Sequence, residues 1–382
     1  MTSDTYRNEI YYKGEEITIN DKEARKRFHL AAERGDAEAQ CNIAQMYQQG
    51  KGVMQNHKEA IKWFRKSANQ GDVTAQFYLG LIYELCIGVK PDYQEAMKWY
   101  LKAANQGNSV SQFCLGEMYR LGRGVAPDYK EAMMWFHMAE QDLAAAQFCL
   151  GEMYYEGQGV KQDYKEAMKW HLKAAENGNA DAQLSLGIMY YEGRGITQDY
   201  KEAMNWFRKS AENGNSKARL NLGVMYYEGQ GIMQDYVQAH KLFSMSCSEG
   251  NENVCKEAMK WFLKSAENNC TDAQLSIGQM YRDGHSVTQD YREAIKWLRK
   301  AAENGNADAQ LNLGVMYHEG CGVKRDYIQA HMWFNLSCSE GNAEAYKRRE
   351  SCYYKMTQTQ IEKAQDMARL KAADVEKRKA AK

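Results

Sequence analysis

Apolar residues in the stretch from 180 to 212 fall at helical spacing twice over. Ala182, Leu186, Met189 and Tyr190, separated by four, three and one, form one helical stripe. Ala203, Trp206, Ser210 and Ala211 lie at i, i+3, i+7 and i+8 and form a second, in which an indole is buried and small residues permit a close helix crossing. Between the two stripes, Gly193-x-Gly195 supplies the positive φ that a helix exit often requires. Asp199, with Glu202 three residues on, is a variant of the capping-box start. No segment alternates with period two, and only two prolines occur, Pro91 and Pro127, so the reading is all-α. Gly187, beside Leu186, has no Cβ and would let a neighbouring helix come close, and small residues recur there from Ala44 to Gly314.

The same helix pair recurs along the chain. Trp63, Trp99, Trp135, Trp170, Trp206, Trp261, Trp297 and Trp333 follow one another at steps of 36, 36, 35, 36, 55, 36 and 36 residues, and a row of tyrosines from Tyr47 to Tyr317 keeps the period and breaks at the same place. Eight full units are expected, with the eight tryptophans as structural anchors; replacing a fully buried one by Ala would cost about 3–5 kcal/mol.

The recurring string A-x-A-Q-x-x-L-G-x-M-Y-x-x-G-x-G-V-x-x-D-Y-x-E-A-x-x-W-x-x-K-A-A-E-N-G closely resembles the Sel-one-like repeat, a relative of the tetratricopeptide repeat, over residues 21–345. The resemblance implies antiparallel helix pairs stacked into a right-handed α/α superhelical solenoid that works as an adaptor in protein complexes. Four residues depart from the pattern: Cys86 and Ser286 each replace a loop glycine, Leu242 replaces Trp, and Arg219 replaces Gln. The 55-residue step is the largest departure. Residues 221–254 resemble the terminal unit 312–345 and are followed by Cys-Lys-Glu-Ala-Met-Lys-Trp, a second helix with no first helix before it. Helix parity should therefore break over residues 251–270, near residue 255, with a kink or altered stacking that divides the array into a larger amino-terminal and a shorter carboxy-terminal block. The expected organisation is a flexible segment 1–20, a capping helix 21–35 with Arg27 at the Trp position, repeats one to six over 36–250, a truncated repeat 251–270, repeats seven and eight over 271–341, and capping helices with a charged tail over 342–382. In the tail, Thr357 and Gln360 form a capping box, Ile361, Ala364, Met367 and Ala368 form a docking stripe, and fraying is expected beyond about residue 372.

Fifty basic and fifty acidic residues leave no net charge, which argues against nucleic acid as a partner. No apolar run approaches 18 residues and the first twenty residues lack the basic-then-apolar pattern of a Sec signal, so neither a membrane span nor classical export is expected. The spacing of eight of the ten cysteines suits reduced, buried thiols and a cytoplasmic home. Cys247 and Cys255, eight apart, have the spacing that resembles disulfides in cysteine-rich secreted relatives; a disulfide and two ordinary thiols are the alternatives. His318 and Cys321, three apart, are too weak a pair to indicate a metal site. The Gly-x-Gly turns follow helices rather than strands and so are not nucleotide loops. Neither a nucleophile paired with a base nor carboxylates set apart from the repeat pattern stand out, so no enzyme, cofactor or metal is expected.

Carrying over tetratricopeptide geometry, the positions one and two after the core tyrosine and two before it face the concave groove. In repeats four to six these are Tyr155 and Glu156; Ile188, Tyr191 and Glu192; and Val224, Tyr227 and Glu228: an aromatic and acidic strip suited to a basic or amphipathic peptide. The expected function is that of a non-enzymatic, monomeric scaffold for a protein or peptide partner. The alternative is an exported or envelope-associated factor, since some bacterial members of the family are secreted.

Overall fold

The computed structural model describes residues 10–12, 15–17, 22–247, 252–284 and 287–380. They hold twenty α-helices, numbered here in chain order, and one antiparallel pair of short strands, β1 (Ile10–Tyr12) and β2 (Glu15–Ile17), within the segment expected to lack regular structure. Ser286 and the side chain of Arg27 lie outside the described residues. The chain divides into two compact units, Met1–Ala182 and Gln183–Lys382. The division falls inside a helix.

The repeated pair is clearest in α10 (Ala180–Glu192) and α11 (Tyr200–Glu212). Gly193, at φ 73°, closes α10 by donating its N–H to the Met189 carbonyl. Asp199 then caps α11, its carboxylate accepting from the backbone N–H of Lys201 and Glu202 at 2.9 and 3.1 Å. The Asp199 N–H donates to the carbonyl of the core tyrosine, Tyr190, at 2.9 Å. The same bond joins Asp92 to Tyr83, Asp128 to Tyr119, Asp163 to Tyr154 and Asp290 to Tyr281. The capping box expected here is therefore only half used: the cap residue's donor ties the second helix to the first, and Glu202 is released to accept from Asn205. A full reciprocal box occurs instead at Thr357 and Gln360.

The residue that locks the pair together follows the tryptophan. Phe207 is 1% exposed and lies directly on Gly187, where a Cβ would come within 2.4 Å of its ring. Phe64, Tyr100, Phe136, Phe243, Leu298 and Phe334 fill the equivalent place in other repeats, all fully buried. The tryptophans sit further out. Trp63, Trp99, Trp135, Trp297 and Trp333 are buried, but Trp170, Trp206 and Trp261 are only half-buried. Six carry the lysine three residues on over the indole, as Lys209 does over Trp206 at 4.2 Å. The residue after the tryptophan, an aromatic in most repeats, thus anchors the packing, and Trp170, Trp206 and Trp261 seal its rim.

Consecutive pairs within each unit are joined by buried amides. In the first unit, Gln40 donates to the Ala32 carbonyl at 2.9 Å and accepts from Gln70 at 2.8 Å; Gln76 does the same with Ala68 and Gln106. In the second, Gln274 bridges Ala266 and Asn304. These side chains satisfy the last carbonyls of the preceding helix, groups that would otherwise be buried without a donor. Arg219, where the repeat has Gln, reaches the equivalent Ala211 carbonyl at 3.1 Å and so preserves the link.

The rhythm changes at α14 (Glu252–Glu267), which follows α13 (Tyr236–Cys247) and precedes α15 (Thr271–Asp283). It begins where a first helix would begin and ends on the Lys-Ser-Ala-Glu-Asn of a second helix, with the turn between them missing. Its last amide, on Asn268, does not join the glutamine series and donates instead to the Tyr227 hydroxyl at 2.7 Å. At the carboxy end, α20 (Gln358–Ala380) docks through Ile361, Ala364, Ala368 and Val375, and Lys371 and Arg378 pair with Glu303 at 2.8 and 3.1 Å. The buried Val375 carries the helix well past residue 372, where fraying was expected.

Candidate functional site: the face of the first helices

Each first helix turns its core stripe toward its own partner and leaves the positions around the core tyrosine facing outward. The position two after the tyrosine is exposed in repeat after repeat: Leu85 at 57%, Leu121 at 44%, and Glu156, Glu192 and Glu228 alike. The neighbouring positions, including Tyr155, Ile188, Tyr191, Val224 and Tyr227, are half-buried.

In the first unit this face carries charged pairs beside the exposed Leu85 and Leu121. Tyr100 donates to Glu84 at 2.8 Å, and Arg123 of the next repeat pairs with the same carboxylate at 3.0 Å. On α6 (Ser109–Leu121), Arg120 grips Glu117 through two bonds of 2.8 Å, and the Cys149 thiol of α8 (Ala144–Glu156) points to that carboxylate at 3.7 Å. Burial raises the Cys149 pKa well above the ordinary thiol value, so it stays protonated. The Tyr155 ring stands edge-on to Tyr164 at 5.1 Å, and Glu156 accepts from Gln158. On α9 (Tyr164–Glu176), His171 takes the anchor place that Phe or Tyr fills elsewhere. It is fully buried over Gly151 with Nε2 3.3 Å from a Glu152 carboxylate oxygen; burial lowers its pKa to about 4. Arg120, Phe148, Cys149, Glu152, Met153, Glu156 and Gln158 line a cavity of about 240 Å³ beside it.

In the second unit the part of this face at Ile188, Tyr191, Val224 and Tyr227 is apolar and aromatic, beside the exposed Glu192 and Glu228. Tyr191 stands edge-on to Tyr200 at 5.3 Å, Glu192 pairs with Arg194 at 2.6 Å, and Ile188 and Val224 pack on the core below. Tyr227 is more heavily engaged than its counterparts. Its ring lies 5.1 Å from Tyr236 and 5.2 Å from Trp261 of α14, and its hydroxyl takes the Asn268 bond. The sequence reading placed the three tyrosines in equivalent register; the structure shows Tyr227 also serving to seat α14. It also brings His171 against Glu152, which sequence reasoning passed over, although a histidine at the residue after Trp170 was the available signal.

The remaining candidates are less engaged. Cys247 and Cys255 are free thiols, the latter directed at the Cys247 carbonyl at 3.3 Å; burial pushes the Cys247 pKa up to about 12. His318 Nε2 lies 3.4 Å from Lys355 Nζ, and Cys321 lies 4.0 Å from Glu319. Among the described residues no three ligand-type side chains converge, and no helix is long and apolar enough to cross a membrane.

Comparison with known proteins agrees with this construction. Among solved structures, a protective antigen of uropathogenic Escherichia coli that displays an SLR fold is 30% identical, covers 94% of this chain and 97% of its own, and superposes with a TM-score of 0.58. A Sel1 repeat protein from Oxalobacter formigenes is 33% identical over 61% of this chain and 90% of its own, with a TM-score of 0.53. No curated protein matches. The Sel1 repeat model matches residues 9–36, 37–72, 73–108, 109–141, 144–179, 180–215, 216–251, 253–270, 271–306 and 307–342, the short eighth match falling on α14. From helix pair, glycine seat and repeat match together, the chain belongs to the Sel1 repeat family.

Proposed function

We propose that this chain is a non-enzymatic adaptor that binds a segment of a partner protein on the face of its first helices. Sel1 repeat proteins generally act as protein-interaction scaffolds. The contact residues are Tyr155 and Glu156 in the first unit, and Ile188, Tyr191, Glu192, Val224, Tyr227 and Glu228 in the second. The observation that carries this reading is the edge-on clamp on Tyr155 and Tyr191. Each ring is half exposed yet held in one orientation by the tyrosine that opens the next helix. A fixed aromatic surface gives up little side-chain freedom on binding. The acidic position beside each tyrosine favours a basic or amphipathic segment. Affinity capture with mass spectrometry tests this by comparing wild type with Tyr155→Ala/Tyr191→Ala, leaving Tyr227 to hold α14. The main partner should be lost while the thermal midpoint stays put, and undiminished capture would refute the reading.

A second reading, an exported or envelope-associated factor, has one observation in its favour: the Escherichia coli structure is described as a protective antigen. Fractionation of the producing cell separates the two, since the adaptor reading places the protein in the cytoplasmic fraction.

A further inference from the structure

We infer that the groove between α5 (Tyr93–Ala104) and α7 (Tyr129–Ala139), on the face of the second helices, receives an amphipathic helix of a partner protein. The occupant has the character of this chain's own α20: small and aliphatic residues at i, i+3 and i+7, and a lysine to lie over Trp135. The surface is separate from the face of the first helices, so the inference stands apart from the adaptor reading there. Six of the eight tryptophans carry a lysine three residues on over the indole. In those six repeats the residue before the tryptophan is polar as well, lysine in five and Asn205 in the other. Two repeats break the pattern at both places. Repeat three has Met134 and Met138 around Trp135, and repeat eight has Met332 and Leu336 around Trp333.

In repeat eight a helix covers these residues. α20 lies against α18 (Tyr327–Ser339) and reaches α16 (Tyr291–Glu303). Met332 and Leu336 are each 4% exposed, in one apolar cluster with Ala368 of α20. Lys371 extends over the Trp333 ring at 5.8 Å, so α20 supplies the cation that other repeats supply themselves. In repeat three the same places are bare: Met134 is 45% exposed and Met138 49%. Among the described residues no lysine or arginine lies over the Trp135 ring, and its buried indole N–H makes no hydrogen bond, where that of Trp99 donates to Glu95 at 3.1 Å. Arg299, Met332 and Trp333 line one cavity beneath α20, so the equivalent Leu101, Met134 and Trp135 share one groove, and Leu101 is exposed too. Such an apolar patch on otherwise charged second helices marks an interaction site, and flexible methionines pack readily against a stripe like Ile361, Ala364 and Ala368. The α20 of a second copy is held at home, because Glu303 of its own seat pairs with both Lys371 and Arg378. The α5 groove has Asn105 at the place of Glu303. The occupant is therefore a helix of another protein.

A peptide of residues 358–380 is the probe, added to the full chain, whose own α20 seat is already filled. Anisotropy of the fluorescein-labelled peptide reads affinity. ¹³C-methyl methionine signals read location, with Met134→Leu, Met138→Leu and Met332→Leu to assign them. Saturable binding with Kd below about 1 mM is expected, with shifts at Met134 and Met138 and none at Met332. Met134→Lys/Met138→Lys, which installs the residues most other repeats carry, should weaken binding at least about tenfold with the thermal midpoint unchanged. Leu101→Arg, which copies α16, should weaken it several-fold, and carries the test alone if the double variant melts early. A Lys371→Gln peptide should also bind several-fold more weakly. Binding that fails to saturate, shifts confined to Met332, or equal affinity for the lysine and Leu101→Arg variants would overturn the inference. Sedimentation of the wild type should show a monomer; self-association that Met134→Lys/Met138→Lys removes would assign the groove to a second copy and overturn the partner helix.

Discussion

Repeats four and five share one frame and differ in what they mount on it. In both, an aspartate caps the second helix and donates its N–H to the core tyrosine carbonyl. In both, a first-helix glycine receives the anchor residue. In both, a buried glutamine accepts from an exposed asparagine at the end of the second helix, Gln147 from Asn177 at 3.0 Å and Gln183 from Asn213 at 2.9 Å. Repeat five fills the anchor place with Phe207 and its outer face with Ile188 and Tyr191. Repeat four places His171 and Glu152 there, and has Leu143 as the N-cap of α8, with no side-chain cap bond. The frame is set by a few small, capping and amide residues. The anchor and the face are where one repeat can diverge from the next without losing the fold.

The largest effect that would test this comparison is at the anchor. Phe207→Ala should destabilise the second unit by about 3–5 kcal/mol, whereas Trp206→Ala, at the half-exposed rim, should cost clearly less. Urea unfolding of the two variants decides it, and equal losses would return the anchor role to the tryptophan.

His171 provides the next test. An unfolded histidine takes up a proton below about pH 6.5, and in the folded protein this one resists doing so until about pH 4. The native state therefore loses stability as pH falls through that window, by up to about 3 kcal/mol, while above pH 6.5 the effect is absent. His171→Phe, which copies repeat five, should remove this limb from the pH dependence of the denaturant midpoint.

Smaller effects follow from the joints and turns. Arg219→Gln should be nearly neutral, because either side chain reaches the Ala211 carbonyl, and Arg219→Ala should cost about 1–2 kcal/mol. Cys86 sits at φ 61° where other repeats have glycine, so Cys86→Gly should stabilise by about 1 kcal/mol, measured as a raised unfolding midpoint.

Much of the frame was legible in the sequence because it is periodic. The tryptophan and tyrosine rows, the aspartate caps and the Gly-x-Gly turns each recur eight times or nearly so, and each has a single local physical reason. What escaped was relational. That Phe207 rather than Trp206 lies on Gly187 depends on how two helices cross, which spacing alone leaves open, since adjacent residues on a stripe are both candidates. That the Asp199 donor goes to Tyr190 rather than to Glu202 depends on the loop bringing the two helices together. The face was legible as positions. The grip of α14 on Tyr227, and the cavity walled by Glu152, arise from helices whose sequences give no sign of each other.

The central claim is that the buried anchor holds the repeat while the clamped tyrosine face serves recognition, and two single variants assayed side by side test it most directly. For Phe207→Ala and Tyr191→Ala, the unfolding midpoint and the amount of captured partner are measured on the same preparations. Phe207→Ala should lower the midpoint sharply, and Tyr191→Ala should leave it nearly unchanged while capture falls. A Tyr191→Ala protein that melts early, or that captures its partner as wild type does, would contradict the account.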